Sequence, residues 1–430
     1  MNSKFWHETE KTHKTTLGNA LRVVTSEMPH TLSTSINICI GAGSRHESAY
    51  QTGISHFIEH MLFKGTNQRT TPWEISSTIE STGGIMNAST ERDMTVYWCK
   101  VTKPYFAQSL NLLTDMIRNS LFTPPSIEHE RLVLIEELNM TNDYPEYKVE
   151  TIIDEMLWPN HPLGREIGGT KESILNITRA DMMEYWTKHY TPSNVVISVA
   201  GNITHHEVLE HTQSLYEDWK PKITNPPEPI TYSQSNPCLR VDCRSTEQVH
   251  LSIAFPAFGL KNPDRYALDL LSVILGEGMS SRLFTELREH KGLAYDIHSE
   301  VIHFIDTGAV IVTAGIASKN VYEASQNILS QMSHMKDSIS EEELEKAKRM
   351  TLGRLTLSME DSKIVSGLKG TEELLLGQIQ ETNTVIRNVR QVTIEDVQRV
   401  AEELLITEKI NMAVVGPYND SSTLKRSLKL

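Results

Sequence analysis

The chain carries one plan twice, and that repeat limits its fold more than any other feature. SINICIGAGS at 35–44 lines up with HLSIAFPAFG at 250–259, an offset of 215. TRAD at 178–181 and TIED at 393–396 share the offset, each a threonine N-cap with an acidic residue three places on. VVISVAG at 195–201 matches INMAVVG at 410–416, and EHERLVLIEELNMT at 128–141 matches ELEKAKRMTLGRLT at 343–356. Four segments in one order and one register are hard to obtain by chance, so the 430 residues read as a duplicated domain.

The junction falls in EDWKPKITNPPEPITYSQSNPC, 217–238, which is rich in Pro, Asn and Ser and has no helical period. The expected division is a first domain over 1–220, a linker over 221–236 and a homologous second domain over 237–430. Strands and helices do not alternate strictly. LRVVTSE (21–27) followed by STSINICIG (33–41) looks like a hairpin, and long amphipathic helices come later. The expected class is therefore α+β, each copy a largely antiparallel sheet covered by helices on one face.

Chemistry concentrates in GISHFIEHMLFKG, 53–65. Positions four apart share a helix face, so His56 and His60 project side by side, with Glu59 beside them. Two imidazoles at that spacing suit zinc, and a neighbouring carboxylate can take the proton of a water as general base. The order HxxEH inverts the HExxH arrangement. Catalytic zinc needs a third protein ligand and an open position. SIEHERLVLIEELNM, 126–140, offers one on a helix that Ser126 can cap. Glu130 and Glu137 lie seven apart on one face, whereas Glu136 points about 100° away from Glu137. Glu137 is the expected ligand, Glu130 supports it or the substrate, and Glu136 is the fallback. At the offset of 215, His56, Glu59, His60 and Glu137 fall on Leu271, Ile274, Leu275 and Leu352. One copy thus carries the metal set and the other has aliphatic residues throughout.

Composition excludes some partners. A formal net charge of −14 argues against binding a phosphate backbone and is compatible with basic peptides. No stretch of 18 apolar residues occurs, so no membrane span is expected. MNSKFWHETEKTHKTTLGNALRVV has no long apolar core of a secretory signal, and the expected location is cytoplasmic. Cys39, Cys99, Cys238 and Cys243 form no CxxC pair, and the last two point to opposite faces if CLRVDC is a strand. They read as reduced thiols. His161, His189 and His250 read as ordinary surface or core residues.

HFIEHMLFKGT followed by ERLVLIEEL resembles the pitrilysin-type zinc metallopeptidases, the inverzincins, and within them the processing-peptidase-like branch. TLGNALRVV, GSRHE, STGGIMNASTERDMTVYW, HPLGREIGGT, YTPSNVVISVAGN and GEGMSSRLFTELREHKGLAYDI are similar as well, so the likeness spans nearly the whole chain. The resemblance implies a zinc endopeptidase with one Zn2+ per chain held by His56, His60 and Glu137, and Glu59 as base. It implies that Arg288 and Tyr295, in LREHKGLAY, bind a substrate carbonyl and steady the oxyanion from the second domain. Asn87 and Ala88, in GGIMNAST, match an edge strand to which substrates add. The resemblance further implies a closed chamber formed by two chains, a homodimer or a heterodimer with a different partner chain. A non-catalytic scaffold role is the rival expectation.

Overall fold

The computed structural model of the protein describes residues 11–430; the first ten, part of the stretch read above for a secretory signal, lie outside the described residues. The first sheet contains β1 (Lys11–Thr16), β2 (Arg22–Glu27), β3 (Ser33–Ile40), β4 (Ile85–Thr90), β5 (Thr95–Thr102) and β6 (Val195–Gly201), in the spatial order β1-β2-β6-β3-β5-β4. The second contains β7 (Cys238–Cys243), β8 (Val249–Ala257), β9 (Ala294–His303), β10 (Gly308–Ile316) and β11 (Asn411–Gly416), in the order β7-β11-β8-β10-β9. Without β1, the two orders are the same.

The register repeats too. Ile36 pairs with Cys99 on one side and Val199 on the other, and Leu251 pairs with Ala314 and Val414. Adding 215 to 36, 99 and 199 gives 251, 314 and 414. The edge strand departs from this rule. Thr90 pairs with Thr95, but Val310, which is 95 plus 215, pairs with Val301 rather than Ile305. That slip of four residues is even, so it leaves each side chain on its original face of the sheet.

Both sheets are largely antiparallel, which makes the fold α+β. The parallel pairs are β2 with β6 and β7 with β11. The expected hairpin of β2 and β3 does not form, because β6 lies between them. All seven residues of β6 are buried, and so is most of β2 and β3. Strands that apolar need neighbours on both sides, and β6 supplies one to each.

Helices used below are α1 (Ile54–Leu62), α2 (Phe106–Asn119), α3 (Pro124–Asp143), α4 (Pro145–Leu157) and α5 (Arg179–His189) in the first half of the chain. The second half supplies α6 (Arg265–Gly276), α7 (Val321–His334), α8 (Glu341–Ser358), α9 (Ser362–Thr371) and α10 (Ile394–Leu404). The bounds of α2 and α7, and of α5 and α10, differ by 215 at both ends. Thr178 with Asp181 and Thr393 with Asp396 form capping boxes at the starts of α5 and α10.

Two compact units result, and each is discontinuous. One takes residues up to Leu138 with Glu166–Glu228 and Leu355–Thr384, and the other takes Asn139–Arg165, Pro229–Arg354 and Val385–Leu430. The division of the sequence near 221–236 separates the two sheets but does not include this exchange of segments. In the first unit, Ile36, Ile38 and Ile40 of β3 enter the main core. The alternate residues face α9: Ser35 and Asn37 bond to Ser362 and Ser366. In the second unit, Val149, Ile153 and Leu157 of α4 pack on Ala254, Ile311 and Ala413. Each sheet is therefore covered on both faces rather than one, the second face by a single helix from the other half of the sequence. All four cysteines are free. No helix among the described residues is long and apolar enough to cross a membrane.

Candidate metal centre

Helix α1 begins at a tight turn. Gly53 has φ +93°, and a side chain there would meet the Gly168 carbonyl oxygen at 2.7 Å. Only glycine enters the helix this way without strain. The carboxylate of Glu47, 3% exposed, accepts the Gly53 N–H at 2.8 Å and the Ser55 N–H at 2.9 Å. It satisfies two donors that a helix start leaves open and places negative charge at the positive end of the dipole. The Ser55 hydroxyl lies 2.8 Å from the Tyr185 hydroxyl, which adds a further anchor. Ile54, Phe57, Ile58, Met61 and Leu62 are buried in the core, so His56, Glu59 and His60 share the other face.

Helix α3 supplies the remaining carboxylates. Its cap is Thr123, whose hydroxyl oxygen accepts the Ser126 N–H at 3.3 Å; the expected capping residue, Ser126, is thus inside the helix. Ile127, Leu134 and Leu138 fix the buried face. Glu137 Oε2 lies 4.0 Å from His56 Nε2 and 3.6 Å from His60 Nε2. Donor atoms of His56, His60 and Glu137 all fall within 4.8 Å of one another. Glu136 is exposed and outside this group.

Glu130, 1% exposed, reaches the far side of His60: its Oε2 is 3.2 Å from His60 Nδ1. A carboxylate only accepts, so Nδ1 carries the proton and Nε2 keeps its lone pair towards Glu137. Lys64 Nζ lies 2.8 Å from the other oxygen of Glu130 and balances its charge. Burial, with a smaller contribution from His60, lowers the His56 pKa to about 4, which keeps that imidazole neutral. Two imidazole nitrogens and one carboxylate are a donor set for zinc, and metal–ligand bonds of about 2.0–2.2 Å suit donor atoms this close. These residues fit the ion. Glu59 Oε2 accepts the Thr90 hydroxyl at 2.5 Å. Burial raises the Glu59 pKa above its ordinary value, and the hydrogen bonds from Thr90 offset part of that rise.

Asn87 and Ala88 lie on β4, at the open edge of the first sheet. The Ala88 N–H donates to Asn87 Oδ1 at 2.9 Å. Arg288 and Tyr295 belong to the second unit. The Arg288 guanidinium stacks over the Phe284 and Tyr295 rings, at 4.8 and 5.2 Å from their centroids, and Tyr295 is 73% exposed. In α6, Leu271, Ile274 and Leu275 are fully buried in the apolar core of the second unit. Sequence reasoning missed Glu47, Lys64 and Thr90. The glutamate of GSRHE offered a signal, since a carboxylate shortly before a helix start is a capping candidate; the other two act across tertiary contacts.

Residues 22–171 match the family model described as Insulinase (Peptidase family M16), and residues 176–351 match that described as Peptidase M16 inactive domain. An uncharacterised zinc protease of Mycobacterium leprae is 34% identical over 97% of this chain and 94% of its own length. One from Bacillus subtilis is 34% identical over 94% of this chain and 97% of its own. A crystal structure of a protease from Helicobacter pylori superposes with a TM-score of 0.90 at 25% identity, covering 95% of this chain and all of that one. The two copies of the plan match the two models of one family, and the chain belongs to peptidase family M16.

Proposed function

We propose that the chain is a zinc-dependent endopeptidase that hydrolyses peptides or unfolded segments. The observation that carries this reading is the convergence of His56, His60 and Glu137 within 4.8 Å. Zinc, when bound there, supplies a Lewis acid for the scissile carbonyl and lowers the pKa of a water. Glu59 takes the proton of the attacking water and delivers it to the leaving amine. Glu130 holds the His60 ring in the tautomer that ligation needs.

The open edge of β4 suits an extended peptide added as a further strand, with Asn87 and Ala88 beside it. The Ala88 N–H, held by the Asn87 side chain, is the donor such a strand would take over. Arg288 and Tyr295 bind a substrate carbonyl and steady the oxyanion in this reading. Its support is the family likeness together with the exposure of the Tyr295 ring. Two chains form the closed chamber, as a homodimer or with a different partner chain. Exposed, unbridged Cys238 and Cys243 support a reducing, cytoplasmic setting. The net charge of −14 favours basic peptides.

The test is zinc content and cleavage of a mixed peptide library by the purified protein and by Glu59→Gln. The expected outcome is zinc in both proteins and cleavage only in the first. A scaffold would contain no zinc and show no effect of the substitution. A strict heterodimer subunit would hold zinc and stay inert alone. The same library reads the charge preference, which fails if Lys/Arg-rich and acidic peptides are cut equally fast.

A further inference from the structure

Glu59 has a flexible side chain, and a general base works only when its carboxylate stays at one place. What holds it is a residue 31 positions away in sequence: the Thr90 hydroxyl donates to Glu59 Oε2. Thr90 is itself fixed. It ends β4 and pairs with Thr95 of β5, whose hydroxyl donates to the Ala42 carbonyl at 2.8 Å. The anchor of the base is thus part of the sheet.

The second copy gives independent support. The counterpart of Glu59 is Ile274, and the counterpart of Thr90 is Ile305 by sequence offset or Val301 by strand register. Either way, the hydroxyl and the carboxylate are replaced together by aliphatic groups. Valine and isoleucine keep the strand propensity of threonine and lack its hydroxyl, so what the second copy does without at this place is the hydrogen-bond donor.

We propose that Thr90 is a positioning residue for the reaction: it fixes the Glu59 carboxylate on the rigid end of β4, the strand that receives the peptide. The inference rests on the endopeptidase reading. A hydroxyl hydrogen bond to a carboxylate is among the stronger ones in proteins.

The experiment compares wild type, Thr90→Val, Thr90→Ser and Glu59→Gln for kcat, KM, zinc content and melting temperature. Valine keeps the shape and removes the donor; serine restores the donor. The expected result for Thr90→Val is a fall in kcat of roughly tenfold or more, with KM within about twofold and zinc content unchanged. Thr90→Ser is expected to return kcat to near the wild-type value. A wild-type kcat in Thr90→Val overturns the inference while leaving the endopeptidase reading intact. Loss of zinc or of the folded state in Thr90→Val, not rescued by serine, also overturns it and makes the residue structural. Full activity in Glu59→Gln removes the reading and the inference together.

Discussion

Helices α1 and α6 occupy corresponding places in two copies of one plan, yet they solve the same position differently. On α6, Leu271, Ile274 and Leu275 pack into a continuous apolar core. On α1, His56 and His60 meet Glu130 and Glu137 instead, and Glu59 meets Thr90. The fold is complete with leucine and isoleucine, so the polar set is not there to hold it together. A partly buried polar cluster without its ion adds little to stability. The difference therefore reports function, and it can be broken experimentally in both directions.

The largest expected effect comes from making α1 and α3 resemble the second copy. The triple variant His56→Leu, His60→Leu, Glu137→Leu should lose zinc and all measurable peptide hydrolysis. Its melting temperature should stay close to that of metal-free wild type, since the three side chains are partly exposed and the second copy folds with leucine at the same places. If it unfolds, the polar set is structural and the comparison fails. A reverse substitution, Leu271→Glu, places a carboxylate at a fully buried position of the apolar core of the second unit. It should destabilise by roughly 3 kcal/mol or more, read as a lower urea midpoint. A wild-type midpoint would show that α6 retains a polar pocket.

The crossing helices offer a second, smaller contrast. Helix α4 meets the second sheet through apolar side chains, whereas α9 meets the first through Ser362, Ser366 and Gly370. Ile153→Ala should cost about 2–4 kcal/mol. Ser366→Ala leaves the buried Asn37 amide without its acceptor and should cost about 1–2 kcal/mol. Equal losses in urea denaturation would mean that the two seams are energetically alike.

Legibility in the sequence followed the range of each interaction. The capping boxes at Thr178 and Thr393 are local, and both were readable from four residues. The HxxEH face and the seven-residue spacing of Glu130 and Glu137 follow from helix period, so α1 and α3 were readable as rods bearing carboxylates and imidazoles. Their meeting was inferred, because nothing local fixes which helices touch. Glu136 and Glu137 differ by about 100° of helix rotation, and the buried stripe of Ile127, Leu134 and Leu138 decides between them. Strand partners were harder. β2 and β3 are adjacent in sequence, but the choice of β6 as their shared neighbour depends on the burial of all three. The four-residue slip of β9 leaves no trace in alternation, since an even shift preserves the pattern. Lys64 and Thr90 carry no period at all; each matters through one contact with a carboxylate that folding brings near.

Acid should act on the two copies unequally. His46 and His189 lie in the first unit with ring centroids 5.7 Å apart, and no hydrogen-bond partner reaches either ring nitrogen of His189. Burial lowers the pKa of His46 to about 4, against a smaller opposing effect of Asp93, and burial with His46 lowers His189 to about 3. Both lie below the unfolded value of about 6.5, so between these limits the unfolded chain binds more protons than the folded one. Stability is then full above pH ~6.5 and falls as pH drops towards the folded values, by about 2 kcal/mol per histidine at pH 5. The second copy has Lys261 and Leu404 at these places and has no buried histidine pair there to charge. Measured on the metal-free triple variant by hydrogen exchange at pH 7 and pH 5, after correction for intrinsic exchange rates, protection should fall more in the first unit than in the second. His189→Leu, which installs the residue of the second copy, should remove about half of that loss. If His189→Leu keeps the whole acid sensitivity, burial of that ring is not what separates the two copies.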